Sequence, residues 1–259
     1  MDLASAAGIG LALFSVMLGV LVIGLSPGQI IDIPSAFITV GGAIGGTMLG
    51  NPLELTTGAG KTFGLAFKKP EIDLKEKINQ IVSFSEKARR DGLLALEDDM
   101  SQLSDEFLRK ALQLVVDGTD PEIVRNIMEI DLDAMVARHG ANRKWFETLG
   151  ELAPAFGMLG TLVGLIGMLS NLGGDASAIG AGMAAALITT LYGSFFANIF
   201  AIPIAKKLTF FSSQEAIVKQ ILIEGTLSIQ AGDNPKIVKE KLISYLSPAA
   251  RAELSDGGE

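Results

Sequence analysis

The chain has no cysteine and a single histidine in 259 residues. The first absence rules out disulfides, thiolate metal sites and a cysteine nucleophile. His139 has no carboxylate or imidazole companions at ligand spacing, so it reads as a surface or helix-end residue rather than a metal ligand. The polar part shows no strand-type alternation, no Gly-rich phosphate loop and no triad spacing, which points away from an enzyme. A net charge of −8 argues against nucleic acid as a partner. The most telling absence is local. Four apolar windows, roughly residues 3–25, 34–51, 152–172 and 179–205, contain no Asp, Glu, Lys, Arg or His. Proton relays and charged gates need such a residue at membrane depth. If the chain lies on an ion pathway, the titrating group must come from another chain.

What is present fits a membrane protein. The residues are 49% hydrophobic and the mean hydropathy is +0.42. A helix needs about 20 apolar residues to cross a bilayer core, and helices satisfy their own backbone there. Each of the four windows meets or approaches that length. The first lacks the basic n-region of a signal peptide and outruns a typical h-region, so it reads as retained. The short connections Ser26–Ile33 and Gly173–Ala178 carry no Lys or Arg, whereas the opposite ends carry Lys61, Lys68, Lys69, Arg143, Lys144, Lys206 and Lys207. The positive-inside rule then places both termini in the cytoplasm of a polytopic membrane protein with four crossings. The expected fold class is all-α. Transmembrane helices 1 and 2 occupy residues 1–52, a helical cytoplasmic domain 53–148, helices 3 and 4 residues 149–205, and a helical cytoplasmic tail 206–259.

Within the polar block, Ile72 to Ala88 has amphipathic helical spacing, Gly92 interrupts, and a second pattern runs from Leu93 through Leu103 to Val116. Asp120-Pro121 is a cap followed by a first-turn proline, and Asn234-Pro235 repeats the device. Arg89 and Arg90 stand on one side of the Gly92 break and the acidic run from Glu97 on the other. This arrangement reads as a solvated helix corner or as a charged docking surface.

The membrane windows carry more than anchoring needs. Gly157, Thr161, Gly164 and Met168 fall on one helical face, and Ala186, Thr190, Gly193 and Ala197 on another. Such small-residue stripes allow close helix contact, and their threonines often bond the carbonyl one turn back. The hydroxyls of Thr161, Thr189 and Thr190 are also oxygen ligands for a cation. Pro154 and Pro203 would each free a backbone carbonyl and bend a helix. Gly41, Gly42, Gly45, Gly46 and Gly50 read as packing, Pro34 as a helix start, and Asp32 as an exposed residue at the outer mouth.

At these residues the chain resembles the MotA/PomA family of flagellar stator subunits, closest to the sodium-driven PomA type. The likeness covers nearly the whole length and rests on five segments: IDIPS at 31–35, ARRDGLLALE at 88–97, LVVDGTDPEIV at 114–124, APAFGMLGTLVGLIGMLSN at 153–171, and AALITTLYGSFFAN with AIPIAKKL within 185–208. ExbB and TolQ proteins, energisers of other envelope processes, look similar in the last two helices but have three crossings. The resemblance implies a homo-oligomeric ring, a pentamer, in the bacterial inner membrane around a MotB/PomB-type single-pass partner that supplies the missing aspartate. It implies that Pro154 and Pro203 couple ion flow to movement, and that Arg89 and Glu97, with Arg90 adjacent, engage the rotor protein FliG. Asp32, Thr161, Thr189 and Thr190 would lie on the ion route. Na⁺ would be held transiently at Thr161 and Thr190 with a partner Asp. No cofactor is implied, only a transported Na⁺, with H⁺ as the alternative.

Overall fold

A computed structural model describes residues 3–68, 73–171 and 176–255. Lys69, Ile72 and the Gly173–Asp175 part of the Gly173–Ala178 connection lie outside them. Every described element is helical, and three helices are long and apolar enough to cross a membrane. The chain divides into two compact units. One comprises Met1–Lys69 and His139–Phe210, the other Pro70–Arg138 and Phe211–Glu259.

In the apolar unit, helix α1 (Leu3–Val22) has no buried residue. Its Leu, Val and Phe side chains face outward, which suits lipid and would be an aggregation hazard in water. Helix α2 (Ile33–Leu49) is 17 residues long at most and carries a π-helical turn at Phe37–Gly41. At 1.5 Å per residue it spans about 26 Å, the low end of what a bilayer core requires. Helix α3 (Leu53–Ala66) follows. Two long helices complete the unit. Helix α7 (Pro121–Ser170) enters it at His139, and helix α8 (Ala176–Phe195) continues through a π-helical segment, Phe196–Ala201, into helix α9 (Ile202–Gln230). The core is rich in alanine: Ala43, Ala59, Ala66, Ala153, Ala197, Ala201 and Ala205 surround Trp145, Phe146 and Leu149. Small side chains let helix backbones approach where hydrophobicity cannot drive association. Leu53–Ala66 and the His139–Leu149 stretch pack with the apolar unit. His139 is half-buried inside α7, not at a helix end.

The second unit holds helix α4 (Leu74–Asp91), a 3-10 turn Leu93–Leu96, helix α5 (Glu97–Met100), helix α6 (Glu106–Val116), the first part of α7, the rest of α9, and helices α10 (Pro235–Ile243) and α11 (Pro248–Ser255). Asp73 caps α4 through the Lys75 and Glu76 amides, at 2.9 and 3.1 Å. Gly92 ends that helix with φ +87°, a backbone shape natural to glycine. Asp120 accepts from the Glu122 amide at 2.9 Å and Asn234 from the Lys236 amide at 3.0 Å, as expected of both caps. The Leu93–Val116 pattern is not one helix. It splits because Asp105 caps α6, accepting from the Phe107 and Leu108 amides at 3.1 and 3.3 Å. One core gathers Ile78, Ile81, Leu96, Leu108, Leu112, Ile221, Leu222 and Leu242, and a second gathers Val115, Val124, Met128 and Ile223. Each such side chain contributes about 1.5–3 kcal/mol by leaving water.

Candidate functional site

Helices α7 and α8 meet along the two small-residue faces. A Cβ built on Gly157 would stand 3.0 Å from the Thr189 carbonyl oxygen and 3.4 Å from the Cα atoms of Gly193 and Thr190. One on Gly164 would stand 2.8 Å from the Ala186 nitrogen, and one on Gly193 2.5 Å from the Ala153 carbonyl oxygen. These are backbone-to-backbone approaches that only glycine permits. On α2, Gly42 and Gly46 seat the Phe156 ring of α7, whereas Gly41 and Gly45 face open space.

The threonines sit on this contact in different ways. Thr161 donates to the carbonyls of Gly157 at 3.1 Å and Met158 at 2.7 Å, and it is half-buried. Thr190 donates to Ala186 at 3.5 Å and is exposed. Thr189 also donates to Ala186, at 2.8 Å, but is buried. Its side chain lies against Gly160, and its carbonyl accepts from the Thr39 hydroxyl at 3.4 Å, so it belongs to the packing of α2, α7 and α8. Thr161 and Thr190 share the Gly157 contact. Each hydroxyl proton is committed to its own helix, which leaves the oxygen lone pairs as what a cation could use.

Neither proline ends its helix. Pro154 is half-buried inside α7, where it denies the Gly150 carbonyl its usual partner. Gly193 packs on it from α8, and Ile202 packs on Gly150. Pro203 is exposed and stands two residues after the end of the π-helical segment Phe196–Ala201. The wider turn there makes room for a ring that would strike a regular preceding turn. Asp32 is half-buried and caps α2, accepting from the Ser35 amide at 2.8 Å. Its own amide donates to the Tyr192 hydroxyl at 3.0 Å, and that hydroxyl donates to the Ile30 carbonyl at 2.7 Å. The expectation of a simply exposed Asp32 is corrected by these bonds. Tyr192 was not singled out from the sequence, although a polar tip on an apolar helix signals a tied partner.

The comparisons with known proteins bear on this geometry. Over 261 residues, covering 100% of both chains, this one is 41% identical to motility protein A of Borreliella burgdorferi. The chain belongs to the motility protein A family. It is also 38% identical to the chemotaxis protein PomA of Vibrio alginolyticus, over 97% of this chain and 98% of that one. Among solved structures it resembles the flagellar MotAB stator complex of Bacillus subtilis, with a TM-score of 0.91, 32% identity and coverage of 98% and 99%. Residues 99–221 match the MotA/TolQ/ExbB proton channel family, a channel family rather than an enzyme class.

The charged corner of this family member is uneven. Arg90 is bonded to its neighbour Asp91 by three contacts of 2.9–3.1 Å. That bond and the adjacent carboxylate raise the guanidinium's pKa, and the guanidinium lowers that of Asp91. Lys87 pairs with Asp99 at 2.9 Å. Among the described residues Arg89 and Glu97 form no ion pair, and both are exposed. Leu94, 70% exposed, stands between them in the chain.

Proposed function

We propose that this chain is the ring-forming stator subunit of a Na⁺-driven flagellar motor, converting ion flow into torque. The observation that carries the reading is the α7–α8 wall: two faces in backbone contact, Thr161 and Thr190 beside Gly157, and no charged side chain in either apolar window. Such a wall needs a carboxylate from a second protein, and a MotB/PomB-type single-pass subunit supplies it. Na⁺ is a hard cation that takes oxygen ligands, and the threonine oxygens with a partner Asp provide them. Thr189 contributes through packing rather than as a ligand.

Four crossings, both termini in the cytoplasm and a ring of five copies around the partner complete the arrangement. Each charge moving down ~100 mV releases about 2.3 kcal/mol. Neutralising a carboxylate in the low-dielectric wall changes which packing of α7 and α8 is preferred. Pro154 and the Pro203 turn pass that change toward the second unit. Arg89 and Glu97 present unpaired charges to the rotor protein FliG, with Arg90 a weaker contributor because Asp91 already occupies it. The match to motility proteins over the full chain supports a motor over an ExbB/TolQ-like energiser. The test is complementation of a non-motile stator deletion. Chain and partner together should restore rotation and neither alone should; support of outer-membrane uptake without rotation would favour the energiser.

A further inference from the structure

One cleft in the apolar unit lies against the Pro203 turn but has no assigned occupant. Ser5, Gly8 and Ala12 of α1 face Phe200, Pro203 and Ile204 across a gap of about 380 Å³, closed on one side by Ala66 and Phe67. Ala4, Gly8 and Ala12 recur at i, i+4 and i+8, a spacing that would let helices touch. At Gly8 the space is open: a Cβ built there would meet nothing within 4 Å. Between Asn198 at one end and Lys207, which bonds the Ser5 hydroxyl, at the other, the lining is apolar. Lys206, exposed, adds a second positive charge beside it, and no lining residue is acidic.

We propose that this cleft holds an acyl chain of an anionic phospholipid, with the headgroup phosphate against Lys206 and Lys207. An apolar channel left open between small residues matches a flexible hydrocarbon tail. Basic ends of clefts between membrane helices select anionic headgroups. The inference rests on the proposed topology, which sets the lysines at the cytoplasmic leaflet. Its consequence is mechanical: the tail lies against the Pro203 turn, so lipid occupancy stiffens the joint at which α8 passes into α9.

The experiment is native mass spectrometry of the chain with its partner, purified in detergent and titrated with phosphatidylglycerol or phosphatidylcholine. Wild type should retain phosphatidylglycerol about fivefold better per lysine engaged. Lys206→Gln with Lys207→Gln should abolish that preference, and Gly8→Leu should remove both lipids without changing the mass of the assembly. Equal retention of the two lipids by wild type would overturn the proposal. So would Gly8→Leu releasing a copy from the ring, which would assign the cleft to a neighbouring helix. Swimming of the same strains separates the two readings. Normal torque without lipid preference removes the lipid site alone, and lipid preference without torque removes the motor reading alone.

Discussion

Gly193 is the position where the helix contact can be tested by a single methyl group. A Cβ there would lie 2.5 Å from the Ala153 carbonyl oxygen, 3.1 Å from the Pro154 Cα and 3.2 Å from the Ala153 carbonyl carbon. Ordinary carbon–oxygen contacts begin at about 3.3 Å. The helices must therefore part by several tenths of an ångström, and no flexible side chain is available to yield instead. Overpacking of this kind costs about 1–3 kcal/mol. Replacing glycine by alanine in a helix returns up to ~1 kcal/mol. Gly193→Ala should thus destabilise the chain by about 1–2 kcal/mol, lowering the melting temperature by roughly 2–8 °C. Gly167→Ala on α7 is the control, because its Cβ would meet nothing within 4 Å. The assay is loss of helical circular dichroism on heating the purified complex, with torque measured in parallel. Gly167→Ala should melt at or above the wild type. Equal melting of the two variants, or a Gly193→Ala complex with full torque and unchanged stability, would refute the close-contact argument.

Other outcomes follow from other contacts. Asp105 bridges Lys77 at 3.4 Å and Lys219 at 3.3 Å while capping α6, and its side chain is only 15% exposed. Burial pushes its carboxyl up, but Lys219, the Leu108 amide and Lys77 outweigh that and hold it below the ordinary 3.8. A lowered folded pKa gives stability that is complete above the unfolded value and fades as pH falls through the folded one. Asp105→Asn should therefore cost about 1–2 kcal/mol at pH 7, and thermal unfolding should show the gap to wild type closing below about pH 4. Tyr192→Phe should cost about 1–3 kcal/mol by leaving the Ile30 carbonyl and Asp32 amide unbonded; a melting temperature equal to wild type would contradict the strap. Reversing Arg89 to Glu should reduce torque in tethered-cell rotation while Na⁺ uptake persists. Arg90→Glu should do so less, and equal losses would count against the distinction drawn from the Asp91 bond.

The long apolar helices, the caps at Asp120 and Asn234, and the Gly92 break were legible because each has a local physical signature. The facing stripes of α7 and α8 were legible in spacing, since glycine, alanine and threonine recurring at i, i+4 and i+7 keep one face of an apolar helix small. Helical phase was not legible. Thr189 and Thr190 are about 100° apart on the same helix, and only the packing of Gly160 and Thr39 turns the first inward. Arg89 and Arg90 differ in the same way, with Asp91 deciding which of them is occupied. The split of Leu93–Val116 was hidden because apolar spacing continues across it, and Asp105 earns its role from lysines far away in sequence. Tyr192 was missed for the same reason, as its partners lie some 160 residues upstream.

The central claim is that threonine oxygens on an uncharged wall serve a partner's carboxylate in passing Na⁺. The direct measurement is motor torque against external Na⁺ at fixed pH, with the partner co-expressed, in wild type and in the Thr161→Ala/Thr190→Ala double variant. The account expects wild-type torque to rise with Na⁺ and saturate, and the double variant to lose that dependence together with most of its torque. Torque that ignores Na⁺ but follows pH, or a double variant that keeps both torque and Na⁺ dependence, would contradict it.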